Sequence, residues 1–149
     1  MTILAAVGEQ RQPVEIIERG FELATAFEEE LHVLHVIPEQ DAEEHFNAIR
    51  SIDEFRDMSF SVEIDRAENI AQELIDGALG EAAVSTVTPV GRIGDPAEEI
   101  SAAIDALDPR YVVVGGRKRS PLGKVAFGSV TQSVILDSGC PVVTVIAEE

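Results

Sequence analysis

The sequence predicts an α/β fold of three layers, an open parallel sheet with helices on both faces, in one domain spanning residues 1–149. Three observations lead there. Short apolar runs alternate along the chain with segments of helical period, the order that builds strand–helix–strand units joined by right-handed crossovers. The runs are continuous rather than alternately polar and apolar, which suits strands covered on both sides. Start and stop signals stand at the ends of the helical segments.

The first run, TILAAV (Thr2–Val7), is a strand, and Pro13 opens a helix that sets Val14, Ile17, Phe21 and Ala24 on one side. LHVLHVI (Leu31–Ile37) is the second strand. Residues 41–65 are ambiguous: Phe46, Ile49 and Phe55 fit a helix, while FSVEI (Phe60–Ile64) alternates like a strand. Ala67, Ile70, Ala71, Leu74, Ile75 and Ala78 mark the next helix. The segment AAVSTVTPV (Ala82–Val90) is more polar and holds Pro89, so it belongs at a sheet edge.

Asp95, Pro96 and Glu98 then give a helix start with cap, first-turn proline and capping box, and Ile100, Ala103, Ile104 and Leu107 form its buried stripe. YVVVG (Tyr111–Gly115) is a strand. A last helix begins near Ser129, with Gln132 in the capping-box relation and Val130, Val134 and Ile135 turned inward, and ends before Gly139 and Pro141. PVVTVIA (Pro141–Ala147) closes the sheet. Neither a repeat nor a linker interrupts this order.

The chain carries 28 acidic against 11 basic residues, a net charge of −17, which argues against general nucleic-acid binding, since that requires broad neutralisation of phosphates. Such acidity resembles that of proteins from salt-loving organisms, where concentrated cations screen self-repulsion. No apolar stretch is long enough to span a membrane and no signal-type start is present, so a cytoplasmic protein is expected. Cys140 is a lone cysteine expected to be buried and inert. His32 and His35, three apart in a strand, fall on opposite faces and make no metal site.

Against this acidic background four cations, Arg117, Lys118, Arg119 and Lys124, crowd into GGRKRSPLGK, with no carboxylate between Tyr111 and Leu136. Gly115 ends a strand, and the segment after it leads to a helix start at Gly128-Ser129, where free amides and the helix dipole favour an anion. In an open parallel sheet the ligand crevice lies at the carboxyl ends of the strands. The arrangement reads as a phosphate cradle; the competing reading is a solvated basic loop paired with carboxylates elsewhere on the surface, contacts that contribute little stability. It is not a P-loop of the common type, because Gly123-Lys124 is followed by Val125 and the earlier glycine spacing is absent.

GDPAEEI (Gly94–Ile100), followed by YVVVGGRKRSPLGKVAFGSVTQSVILDSGCPVVTV (Tyr111–Val145), resembles the universal stress protein family, and the N-terminal ILAAV fits the same frame over essentially the whole chain. The family signature is glycine, two residues, glycine, nine residues, then glycine with Ser or Thr. Gly115 and Gly128-Ser129 match it, and Lys118 stands in place of the second glycine. The resemblance implies a five-stranded sheet of order 3-2-1-4-5.

It also implies an adenine nucleotide such as ATP, with magnesium, as ligand. Phosphates and ribose would lie against Gly115, Gly116, Arg117, Lys118 and Arg119 and against Gly128, Ser129, Val130 and Thr131. Adenine would lie between Ala6, Val7, Gly8 and Val36. The acidic residue common after the first strand is replaced by Gly8, with Glu9 beside it. A homodimer through the last strand, Val142–Ala147, is implied too. No residue set names itself as catalytic: Ser129 has no histidine nearby in sequence, and its ordinary role is a helix cap. A nucleotide-responsive module and a ligand-free dimeric scaffold are the leading alternatives, ahead of a slow ATPase.

Overall fold

Strand β1 (Thr2–Val7) is the centre of the fold, with Ile3, Leu4 and Ala5 wholly buried, so both of its faces are covered. The computed structural model describes residues 1–8, 13–51, 61–118 and 125–147. Helix α1 (Pro13–Phe27) returns the chain across one face, burying Ile16, Ile17, Gly20 and Ala24. Val14, expected on the inner side, is 38% exposed; Ile16 takes that place, a rotation of the stripe that the many apolar residues of this helix permit. Helix and sheet approach closely at Gly20, where an added Cβ would lie 3.0 Å from Leu31 Cδ1.

Strand β2 (Glu30–Pro38) pairs parallel with β1, Thr2 opposite Glu30 through Val7 opposite His35. Helices α2 (Glu39–Arg50) and α3 (Ser61–Ala78) follow. The alternating stretch FSVEI is therefore no strand: from Ser61 onward it is the first turn of α3, and Phe60 lies outside the described residues, as does Phe55. Alternation over five residues carries less weight than the apolar stripe that continues through Ala67, Ala71 and Ile75, all wholly buried.

A short helix α4 (Glu81–Val84) leads to β3 (Val87–Gly94), whose eight residues pair parallel with β2. The edge strand thus starts later than Ala82, and Pro89 lies inside it opposite Val33, a position open to proline because an edge strand has one unpaired side. Gly91 is where α3 presses on this strand, since an added Cβ would meet Glu68 N, Ala67 C and Ile64 O of the helix backbone.

Helix α5 (Pro96–Leu107) begins as the sequence indicates, the Glu98 N–H donating to Asp95 Oδ2 at 3.0 Å. Strand β4 (Tyr111–Lys118) runs beside β1 and continues past its end. A two-residue strand β5 (Val125–Ala126) folds back antiparallel on Arg117 and Lys118. Helix α6 (Ser129–Asp137) and β6 (Val142–Ala147) complete the chain, β6 parallel to β4. The five parallel strands stand in the order β3-β2-β1-β4-β6, which is 3-2-1-4-5 once the antiparallel β5 is set aside.

Helices cover both faces. Ile3, Ala5, Val7, Leu31 and Val33 pack with α1 and α3, while Leu4, Leu34, Val112 and Val114 pack with α5 and α6. The two cores share the same strands through alternate residues.

Candidate functional site at the carboxyl ends of the strands

The strand order reverses between β1 and β4, so the crevice of the sheet opens beyond Val7. The β1–β4 register of Ile3 with Tyr111 and Ala5 with Val113 brings residue 115 level with that end. Yet Gly115 does not terminate its strand. Gly115 and Gly116 remain paired with Val145 and Ile146 of β6, and Arg117 and Lys118 with Ala126 and Val125 of β5. β4 overshoots β1 because β6 and β5 supply hydrogen-bond partners that β1 no longer offers.

Both glycines are needed for packing. A Cβ on Gly115 would lie 2.9 Å from Ile16 Cδ1, and one on Gly116 2.6 Å from Phe127 Cε1. The ring of Phe127 therefore covers Gly116, holding together the two arms that enclose the basic segment. Arg119 and Lys124 lie outside the described residues.

Helix α6 starts differently from the sequence expectation. Gly128, not Ser129, is its N-cap, with extended φ −66° and ψ 164° and no side-chain capping bond. Ser129 is the first helical residue, and Gln132 Nε2 donates to Phe127 O at 3.1 Å instead of closing a capping box. Among the described residues, the helix also differs from the other five in charge. Each of those has an acidic residue in its first turn: Glu15, Glu39, Glu63, Glu81 and Glu98 are examples, while α6 has none. In so acidic a chain, this helix start, free of both a capping side chain and a first-turn carboxylate, leaves its amide dipoles unanswered.

Beside this start, Ala6, Val36 and Val130 come from three different elements and pack, each partly buried, against one apolar cluster. Val7 is almost wholly buried and Gly8 is exposed. Thr131 Oγ1 donates to Gly115 O at 3.1 Å. The fold thus gathers Ala6, Val7, Gly8, Gly115, Gly116, Gly128, Ser129, Val130 and Thr131 at one end, with Val36 further along β2, beyond its pairing with β1 and opposite Arg92.

His35, opposite Val7, also stands at this end of the sheet. Its ring is 2% exposed, and Nδ1 lies 3.1 Å from Val7 O. A carbonyl can only accept, so Nδ1 carries the proton and ties down the last carbonyl of β1. Nε2 is buried with no hydrogen-bond partner among the described residues. A histidine inside an apolar run is the sequence signal for this role, and His32 shares it. His32, on the other face, lies 3.5 Å from Glu30 Oε2.

Cys140 is half-buried rather than buried, with Sγ 3.4 Å from Pro109 O. Burial pushes its thiol pKa up and the nearby Asp108 charge adds to this, so it is a poor nucleophile. A depression of about 410 Å³ between α5 and α6, lined by Glu98, Ser101, Asp105, Ser133 and Asp137 among others, touches none of the gathered residues.

The sequence model of the Universal stress protein family matches residues 1–145. The chain belongs to the universal stress protein family. A universal stress protein of Mycolicibacterium smegmatis is 42% identical over 57 residues, which cover 38% of this chain and 42% of that protein's length. Among solved structures, the universal stress protein of Archaeoglobus fulgidus is similar with a TM-score of 0.64 and 26% identity, over 97% of each chain. A universal stress protein from Archaeoglobus fulgidus in complex with dAMP has a TM-score of 0.52 and 21% identity, covering 97% of this chain and 96% of that one. Another universal stress protein, in complex with cAMP, has a TM-score of 0.58 and 20% identity over 97% of each chain.

Proposed function

We propose that this universal stress protein is a stress-response module that binds an adenine nucleotide at the crevice between β1 and β4. The observation that carries the reading is the start of α6, with neither capping side chain nor first-turn carboxylate, which suits phosphate in a chain of net charge −17. Phosphates lie against the amides of Ser129, Val130 and Thr131, and the cations Arg117, Lys118 and Arg119 add charge-assisted hydrogen bonds. The base lies on the apolar surface of Ala6 and Val36, beside Val7 and Gly8. Magnesium would offset part of the phosphate charge if a triphosphate is the ligand. The relatives solved with dAMP and cAMP support adenine as the base.

Isothermal titration of the purified protein with ATP, AMP, dAMP and cAMP, with and without magnesium at high salt, tests this. Saturable binding of at least one nucleotide is expected, and no heat at millimolar nucleotide overturns it.

A ligand-free dimeric scaffold is favoured by one observation: β6 is an edge strand, paired on one side with β4, and made of the apolar run VVTVIA. An isologous contact between two β6 strands closes that edge. Light scattering at twice the chain mass in the absence of nucleotide, together with a null titration, selects this reading.

A further inference from the structure

The first turn of α6 holds both arms that enclose the basic segment, and it does so with side chains. Thr131 Oγ1 donates to Gly115 O at 3.1 Å, and Gln132 Nε2 donates to Phe127 O at 3.1 Å. Gly115 belongs to the outgoing strand β4, and Phe127 follows the returning strand β5. Adjacent residues of one helical turn thus grip a carbonyl on each arm, and the Phe127 ring lies against Gly116 between them.

From this geometry we infer that Thr131 and Gln132 are positioning residues, a two-point clasp that sets both arms relative to the amides of α6 before any ligand arrives. A hydroxyl has one proton to donate. The proton of Thr131 is engaged by Gly115 O, and what its oxygen then presents outward is lone pairs, which repel rather than bind a phosphate oxygen. Thr131 therefore serves an anion through its backbone N–H and through the placement of its neighbours, not through its side chain.

Arranging the arms in advance removes an ordering cost from binding. That consequence rests on the nucleotide reading, whereas the clasp itself does not.

The experiment uses Thr131→Val, which keeps the shape and removes the donor, Thr131→Ser, which keeps the donor, and Gln132→Met. Amide hydrogen exchange is followed in the ligand-free protein at residues 115–118 and 125–128, beside titrations with ATP and adenosine. Thr131→Val and Gln132→Met are expected to speed exchange on both arms by about fivefold to tenfold, the loss of one hydrogen bond, with Thr131→Ser close to the parent protein. ATP affinity is expected to fall about tenfold in Thr131→Val while adenosine affinity holds, and Thr131→Ser restores it.

Unchanged exchange in Thr131→Val and Gln132→Met overturns the clasp, as does a Thr131→Ser variant as fast as Thr131→Val. Equal losses for ATP and adenosine overturn its role in placing the phosphate amides. Faster exchange in a protein that binds no nucleotide supports the clasp and removes only the nucleotide reading.

Discussion

His45 Nδ1 lies 2.6 Å from Oε1 of Glu63, a carboxylate with no exposed surface, whose other oxygen accepts from Arg66 Nε at 2.8 Å. The pair joins α2 to the first turn of α3. Burial alone raises the Glu63 pKa, but the hydrogen bonds from His45 and Arg66, with the charge of Arg66, outweigh it and hold the carboxyl below its ordinary value. A carboxyl whose pKa is lower in the folded than in the unfolded chain stabilises the fold above its unfolded pKa, and that stability is lost as pH falls through the folded value. Thermal melts are therefore expected to weaken below about pH 4, the ordinary glutamate range. Glu63→Gln should cost roughly 3 kcal/mol at neutral pH and flatten that acid limb; an identical acid profile in the variant contradicts the assignment.

Gly91 lies close against the backbone of α3, where an added Cβ would clash with Glu68 N and Ala67 C. The obstacle is helix backbone, which cannot swing aside as a side chain can. Gly91→Ala is expected to lower stability by about 3 kcal/mol in urea titration, whereas Gly77→Ala, with nothing near the new Cβ, is expected to be neutral or stabilising.

Asp95 accepts from the Glu98 amide at the start of α5. Removing it as Asp95→Ala should cost about 1 kcal/mol. Asp95→Asn, which keeps the acceptor, should recover most of that in the same denaturation experiment.

Arg117 and Lys118 follow the glycine pair on the arm of β4. Their joint replacement by alanine is expected to weaken ATP about a hundredfold, taking roughly 1.5 kcal/mol for each charge-assisted contact, and to leave adenosine within about twofold. Matched losses for the two ligands in calorimetry show that these side chains do not grip phosphate.

Elements whose signals are local are legible in the sequence. TILAAV and LHVLHVI are strands because continuous apolar runs demand cover on both faces, and α5 begins at its Asp-Pro pair because cap and proline act within one turn. FSVEI alternates like a strand yet from Ser61 onward opens α3 for the converse reason: its first residues carry no stripe of their own, and the helix they open is held from a distance, by Glu63 reaching His45 of α2. The site divides along the same line. Glycine spacing and clustered cations are visible in the chain, while His35 and its tie to Val7 O are not, since the run LHVLHVI holds two histidines and nothing within it marks which one is buried.

Apolar periodicity and end signals by themselves determined the layered α/β architecture and the helix start beside the basic cluster, because both depend on neighbours within a few residues. Only the folded chain decided that Gly115 and Gly116 stay in a strand, that Gly128 caps α6, and that Thr131 spends its proton on Gly115. The first and last of those outcomes depend on partners brought from sixteen residues or more away along the chain, on β6, α1 and α6, and pairing at that range is set by packing and register rather than by local preference.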